Sequence, residues 1–231
     1  MIRAAVFDFD GTLFDSMPVW DTAGEDFLRS AGISAEKNLG TVLSRMSLDQ
    51  AAAYLRETYC PAFSAEAVKQ GITGVVRDAY AFSVLPKPGV PDFLDALARR
   101  GIRMCIATAS ERPQIEAALR RCGLQHFFAG ILTCSDAGYG KDEPVIFREA
   151  LRLLDSCRRD TLVFEDALHA LQTAKADGFF TVAVPDAHEK EREAVLAAAD
   201  IFLPDFFHPQ AFLDAVQVAM RQPQGRRGGT K

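Results

Sequence analysis

Short runs of consecutive apolar residues recur along this chain, with amphipathic stretches between them. Ile2 to Phe9, Arg103 to Thr108, Gly130 to Thr133, Thr161 to Glu165 and Phe179 to Val184 read as strands, with Asp200 to Leu203 as a weaker sixth. The intervening segments carry apolar residues at helical spacing. Val90, Phe93, Leu94 and Leu97 share one face. Ile115, Ala118, Leu119 and Cys122 share another, with Gly123 as the stop. Ile146, Phe147, Ala150, Leu151 and Leu154 form a third stripe, with Pro144 near its first turn. A strand without polar alternation must be covered on both faces. The pattern therefore predicts an α/β fold, a Rossmann-like parallel sheet with helices on both faces.

The alternation breaks once. Residues 17–84 contain no convincing strand and read as helices over Trp20 to Ala31, Ser47 to Tyr59 and Ser64 to about Phe82. Ser47-Leu48-Asp49-Gln50 has the spacing of a capping box. Pro86-Lys87-Pro88-Gly89 then punctuates the return to alternation. The expected organisation is an α/β core from residues 1–16 and 85–220, an all-helical domain inserted at 17–84, and a flexible tail at 221–231. Ser16 stands at the exit from the core, a plausible hinge.

Composition narrows the class. The chain has 231 residues, 48% hydrophobic and 25% charged, with a formal charge of −5. That balance is ordinary for a globular protein and argues against a nucleic-acid partner. The five cysteines (60, 105, 122, 134 and 157) include no CxxC pair, so neither a disulfide frame nor a zinc knuckle is indicated. The first apolar run is short and ends in acids, unlike a secretory signal, and no stretch has the length of a membrane span. A cytoplasmic monomer or weak dimer is expected, with no membrane partner.

Ligands of open parallel sheets bind beyond the carboxyl ends of the strands. The first strand runs into Asp8-Phe9-Asp10-Gly11-Thr12. Residues two apart on a strand face the same way, so Asp8 and Asp10 emerge together. Such a pair is tolerated when a divalent cation sits between the carboxylates, or when one of them stays protonated for chemistry. The second strand ends in Thr108-Ala109-Ser110, Gly140-Lys141-Asp142 follows the third, and the fourth ends in Glu165-Asp166. Four acids, a hydroxyl and an ammonium on one rim suit a phosphate ester held against Mg²⁺.

These residues resemble the motifs of the haloacid dehalogenase superfamily of phosphohydrolases. DxDGT stands as Asp8 to Thr12, the motif-two hydroxyl as Thr108, the motif-three lysine as Lys141, and the motif-four acids as Glu165-Asp166. The helical insertion matches the subfamily with a small helical cap, which includes beta-phosphoglucomutase and phosphoglycolate phosphatase. The resemblance covers roughly residues 2–205. It departs from many relatives at Ala109, where they carry Asn, and at Ala167 and Ala170, where they carry Ser and Gly.

The resemblance implies a Mg²⁺-dependent phosphatase acting through an aspartyl phosphate on a small-molecule phosphomonoester. Asp8 would be the nucleophile and Asp10 the acid and base. Thr108, Ala109 and Lys141 would hold the phosphoryl group. The metal would take Asp8, the Asp10 carbonyl and Asp166, with Glu165 orienting its waters. In the cap, Trp20 and Arg45 are the candidates to face substrate. A beta-phosphoglucomutase-like phosphotransferase is the alternative, weakened because those mutases carry a cap His where this chain has Trp20. A phospho-Asp signalling receiver and a non-catalytic protein of the same fold are the rivals from other classes.

Overall fold

The computed structural model describes residues 2–43, 46–189 and 191–221. Strand β1 (Ala4–Phe7) is followed by helices α1 (Met17–Ser30), α2 (Leu39–Leu43), α3 (Leu48–Thr58) and α4 (Ala65–Phe82). Alternation then runs through α5 (Val90–Arg99), β2 (Arg103–Thr108), α6 (Arg112–Arg121), β3 (Phe128–Thr133), α7 (Cys134–Ala137) and α8 (Val145–Leu154). It continues through β4 (Thr161–Glu165), α9 (Leu168–Ala176), β5 (Phe180–Ala183), α10 (Arg192–Ala198), β6 (Ile201–Phe202) and α11 (Pro209–Arg221). No helix among the described residues is long and apolar enough to cross a membrane.

The chain divides into two compact units. One comprises the described residues of Met1–Phe14, Pro86–Arg112 and Gly123–Lys231; the other comprises Asp15–Leu85 with Pro113–Cys122. Alternation alone assigns residues 113–122 to the sheet unit. Contacts group them with the helical one, where the Arg121 guanidinium donates to the Val84 carbonyl.

All strand pairs are parallel, in the order β3-β2-β1-β4-β5-β6. Strand β1 lies between β2 and β4, and all four of its residues are buried. On one face, Ala4, Val6, Cys105, Ala107 and Val163 pack against Ile146, Phe147 and Ala150 of α8 and Ala170 and Ala174 of α9. The alanines let helix backbones approach the sheet closely, and burial pushes the Cys105 thiol far up, as suits a core residue. The other face is aromatic. Phe7 stacks on Phe164 at 4.3 Å, and Phe93 meets Phe164 edge-on at 6.0 Å and Phe212 at a tilt at 5.6 Å.

Several elements differ in extent from the pattern. The first strand stops at Phe7, although the Asp8 amide still donates to the Phe164 carbonyl at 2.9 Å. The last is reduced to Ile201–Phe202, at the sheet edge. The third begins at Phe128, upstream of its apolar core.

In the helical unit, the capping box at Ser47 is formed in both directions with Gln50. Val68, Ile72, Val76 and Tyr80 of α4 and Phe27 and Leu28 of α1 are buried. Gly71 permits the contact between these helices, since a Cβ there would sit 2.2 Å from the Phe27 ring. The Trp20 indole N–H donates to the Tyr80 hydroxyl at 3.3 Å.

Candidate active site

The turn after β1 is built for close approach. The Phe9 carbonyl accepts from the amides of Leu13 and Phe14 at 3.0 and 2.9 Å, and the Phe9 and Phe14 rings stack at 4.2 Å. Gly11 adopts a left-handed conformation, with φ of 76°. A Cβ at that position would lie 2.3 Å from Asp166 Oδ2, so both the backbone angle and the space demand glycine. The Thr12 hydroxyl donates to Asp166 Oδ1 at 3.0 Å, tying this turn to the end of β4.

Charge is concentrated behind that turn. Lys141, buried, donates to Asp8 Oδ1 and, at 2.7 Å, to Glu165 Oε1. Asp8, Glu165 and Asp166 each offer an oxygen within 4.8 Å of the others. One ammonium faces three carboxylates, and the acids respond. Burial raises the Asp8 carboxyl despite the opposing pull of Lys141, and raises Glu165 strongly. Burial and the neighbouring Asp8 charge bring Asp166 up to about 7. Burial opposes the charge on Lys141, but Asp8 and Glu165 outweigh it and raise its pKa. A divalent cation fits this donor set. Its ligands would be hard carboxylate oxygens, and it would supply the positive charge that the cluster lacks.

The Asp10 carboxylate stands outside the triad. The Ser110 hydroxyl donates to Asp10 Oδ2 at 2.6 Å, while the Ser110 amide donates to Thr108 Oγ1 at 3.0 Å. Thr108 is buried at the end of β2, in register with Thr133 of β3. The two aspartates of one strand end thus have different partners, a lysine for Asp8 and a serine for Asp10.

The model of the haloacid dehalogenase-like hydrolase family matches residues 2–178. The chain belongs to the haloacid dehalogenase-like hydrolase family. Among curated relatives, protein CbbY of Cereibacter sphaeroides is 26% identical over 216 residues, covering 89% of this chain and 93% of CbbY. Hexitol phosphatase B of Escherichia coli K12 is 26% identical over 208 residues, covering 87% and 91%. A crystal structure of a Thermotoga maritima protein, provisionally named a beta-phosphoglucomutase, superposes with a TM-score of 0.83 at 22% identity, covering 93% and 100%. This last likeness shows the haloacid dehalogenase-like fold.

On this family fold, the residues expected at the rim are brought together in the sheet unit: Asp8, Asp10, Thr108, Lys141, Glu165 and Asp166. Ala109 follows Thr108 and is exposed. Glu165 is a direct partner of Lys141 as well as a member of the acidic triad. Trp20 is 40% exposed and lies in the helical unit. Arg45 lies outside the described residues.

Three contributors were not singled out by pattern. Ser110, two residues beyond Thr108, carries no pattern that marks it as a partner of Asp10. Lys87 and Asp186 form an ion pair at 3.2 Å, and Lys87 donates to the Gly11 carbonyl. The signal for Lys87 was its position between two prolines, where the backbone is tightly restricted.

Proposed function

We propose that this chain is a Mg²⁺-dependent phosphatase that removes phosphate from a small phosphomonoester through an aspartyl phosphate on Asp8. The observation that carries the reading is the group of buried Asp8, Lys141 and Glu165 with half-buried Asp166 beside them, braced by Thr12. A polyol or sugar phosphate is the favoured substrate class, in keeping with the name of hexitol phosphatase B among the relatives.

In this mechanism an Asp8 carboxylate oxygen attacks phosphorus, and the bond from phosphorus to the ester oxygen breaks. The departing oxygen takes a proton from Asp10 and leaves as an alcohol. Water then attacks the phosphorus of the acyl phosphate, giving its proton to Asp10. The phosphorus–Asp8 bond breaks, releasing inorganic phosphate and restoring both carboxyl groups. Ser110 keeps the Asp10 carboxyl oriented. Lys141 and Thr108 neutralise and fix the phosphoryl oxygens while Lys141 also holds Asp8 in place. Asp8, Asp166 and the Asp10 carbonyl, with Glu165 beside them, would hold Mg²⁺. When bound it offsets the charge between an anionic nucleophile and an anionic phosphate.

The hydrolase is favoured over a mutase because Trp20 replaces the cap histidine of those enzymes with a ring that has no proton to exchange in the physiological range. The test is phosphate release from a panel of phosphomonoesters, with Mg²⁺ and with chelator. Turnover of at least one ester that requires Mg²⁺ and vanishes in Asp8→Asn is expected. Chelator-insensitive turnover, or full activity in Asp8→Asn, overturns the reading.

A further inference from the structure

Lys87 is placed twice against the turn that carries the first motif. Its backbone amide donates to the Leu13 carbonyl at 2.8 Å, and its ammonium donates to the Gly11 carbonyl. The same ammonium reaches the Pro185 carbonyl at 2.6 Å and Asp186 Oδ2 at 3.2 Å, in the loop after β5. Three acceptors use all three donors of a lysine, so none is left for a phosphate. The side chain is 14% exposed and that of Asp186 only 3%. The other oxygen of Asp186 accepts from the His188 amide at 2.8 Å and lies 3.2 Å from His188 Nδ1.

The geometry makes Gly11 the middle of a sandwich. A Cβ on Gly11 would stand 2.3 Å from Asp166 Oδ2 and 3.3 Å from Asp186 Cγ. Whatever fixes the Gly11 carbonyl therefore fixes the Gly11–Thr12 peptide, and with it the residue whose hydroxyl holds Asp166. Pro86 and Pro88 limit the backbone freedom of Lys87, and Pro86 bridges to Phe14 of the same turn.

We propose that Lys87 is a positioning residue of the catalytic centre, clamping the loop after β1 to the loop after β5 so that Asp10, Gly11 and Asp166 are preorganised for the cation. This rests on the Mg²⁺-phosphatase reading above. The clamp does two separable things: it anchors two carbonyls, and it neutralises a buried Asp186 next to Asp166. Groups that orient metal ligands from behind typically matter by about 10–100-fold in metal affinity or activity.

The experiment is calorimetric titration of Mg²⁺ alone into the full chain, with kcat and KM on the best phosphomonoester and urea midpoints in chelator. Lys87→Met is expected to weaken Mg²⁺ binding about tenfold or more and to lower kcat, with KM changed far less. The double variant Lys87→Met, Asp186→Asn removes both charges, which restores folding where the single variant is destabilised by an unpaired acid. It still lacks the carbonyl anchor, so its Mg²⁺ binding is expected to stay weak at a parental urea midpoint. Parental Mg²⁺ affinity and kcat in either variant overturns the proposal. A parent chain that takes up no Mg²⁺ overturns the phosphatase reading itself, a distinguishable result.

Discussion

Asp166 sits beside Asp8, and burial together with that charge moves its carboxyl from 3.8 to about 7. Asp166→Asn keeps the shape and the oxygen that accepts from Thr12 at 3.0 Å, but deletes the charge. The direction follows from proton linkage. Between the unfolded value of 3.8 and the folded value of about 7, the native state binds more protons than the unfolded chain. The stability of the metal-free parent therefore falls as pH rises through that window, and the full penalty applies above it. At about 1.4 kcal/mol per pH unit, the penalty is on the order of 4 kcal/mol. The variant escapes it. In urea titrations with chelator, the two proteins are expected to agree within about 1 kcal/mol at pH 4, with the variant ahead by about 2–4 kcal/mol at pH 8. On the proposed Mg²⁺-phosphatase reading, added Mg²⁺ is expected to reverse the order. At a hundred times its Kd it should add about 2.7 kcal/mol to the parent, whereas the variant, lacking the Asp166 charge, is expected to gain little. A variant no more stable than the parent at pH 8, or a gap that does not change with pH, refutes the reasoning.

Lys141→Met strands Asp8 and Glu165 without their cation. It is expected to cost about 3–5 kcal/mol in chelator by urea unfolding and at least about 10²-fold in kcat, with added Mg²⁺ recovering part of the stability. Gly11→Ala forces a side chain into a left-handed position and against Asp166. A loss of about 1–2 kcal/mol from the backbone alone and loss of Mg²⁺ uptake by calorimetry are expected. Asp177, in the turn after α9, accepts paired hydrogen bonds from Arg148 and Arg158, and those bonds, led by Arg148, hold its carboxyl below 3.8. Its contribution is present above pH 3.8 and lost as pH falls through the lower folded value. Asp177→Asn is therefore expected to cost about 1–2 kcal/mol at pH 7, toward the low end because both arginines are half exposed, and almost nothing near pH 2.

The sheet was legible because its strands are apolar without alternation, a pattern that only a doubly covered parallel sheet satisfies. Its site was legible because each motif ends a strand. What pattern could not supply were contacts between residues distant in sequence. The bond from Ser110 to Asp10 spans 100 positions, and that from Lys87 to Pro185 spans 98. Neither residue has a periodicity of its own, since each lies in a loop. The grouping of α6 with the inserted helices was likewise hidden, because its amphipathic stripe matches that of any helix flanking a sheet. The edge strand β6 is shorter than its apolar run suggests, whereas β3, at the other edge, is longer.

The central place of β1 has a consequence for synthesis of the protein. On the ribosome β1 is made before every other strand of the sheet, and its partners begin at Arg103 and Thr161, so it emerges with neither neighbour available. The oxygens of Asp8 and Asp166 belong to opposite ends of that wait, and the bond from Thr12 to Asp166 closes 154 positions of chain. The acidic group of Asp8, Glu165 and Asp166 is thus incomplete until β4 has left the exit tunnel. On the proposed phosphatase reading Mg²⁺ would act on the finished sheet as a late fastener, and the long interval before β4 is the stage at which a chaperone would find the apolar Ala4–Phe7 segment uncovered.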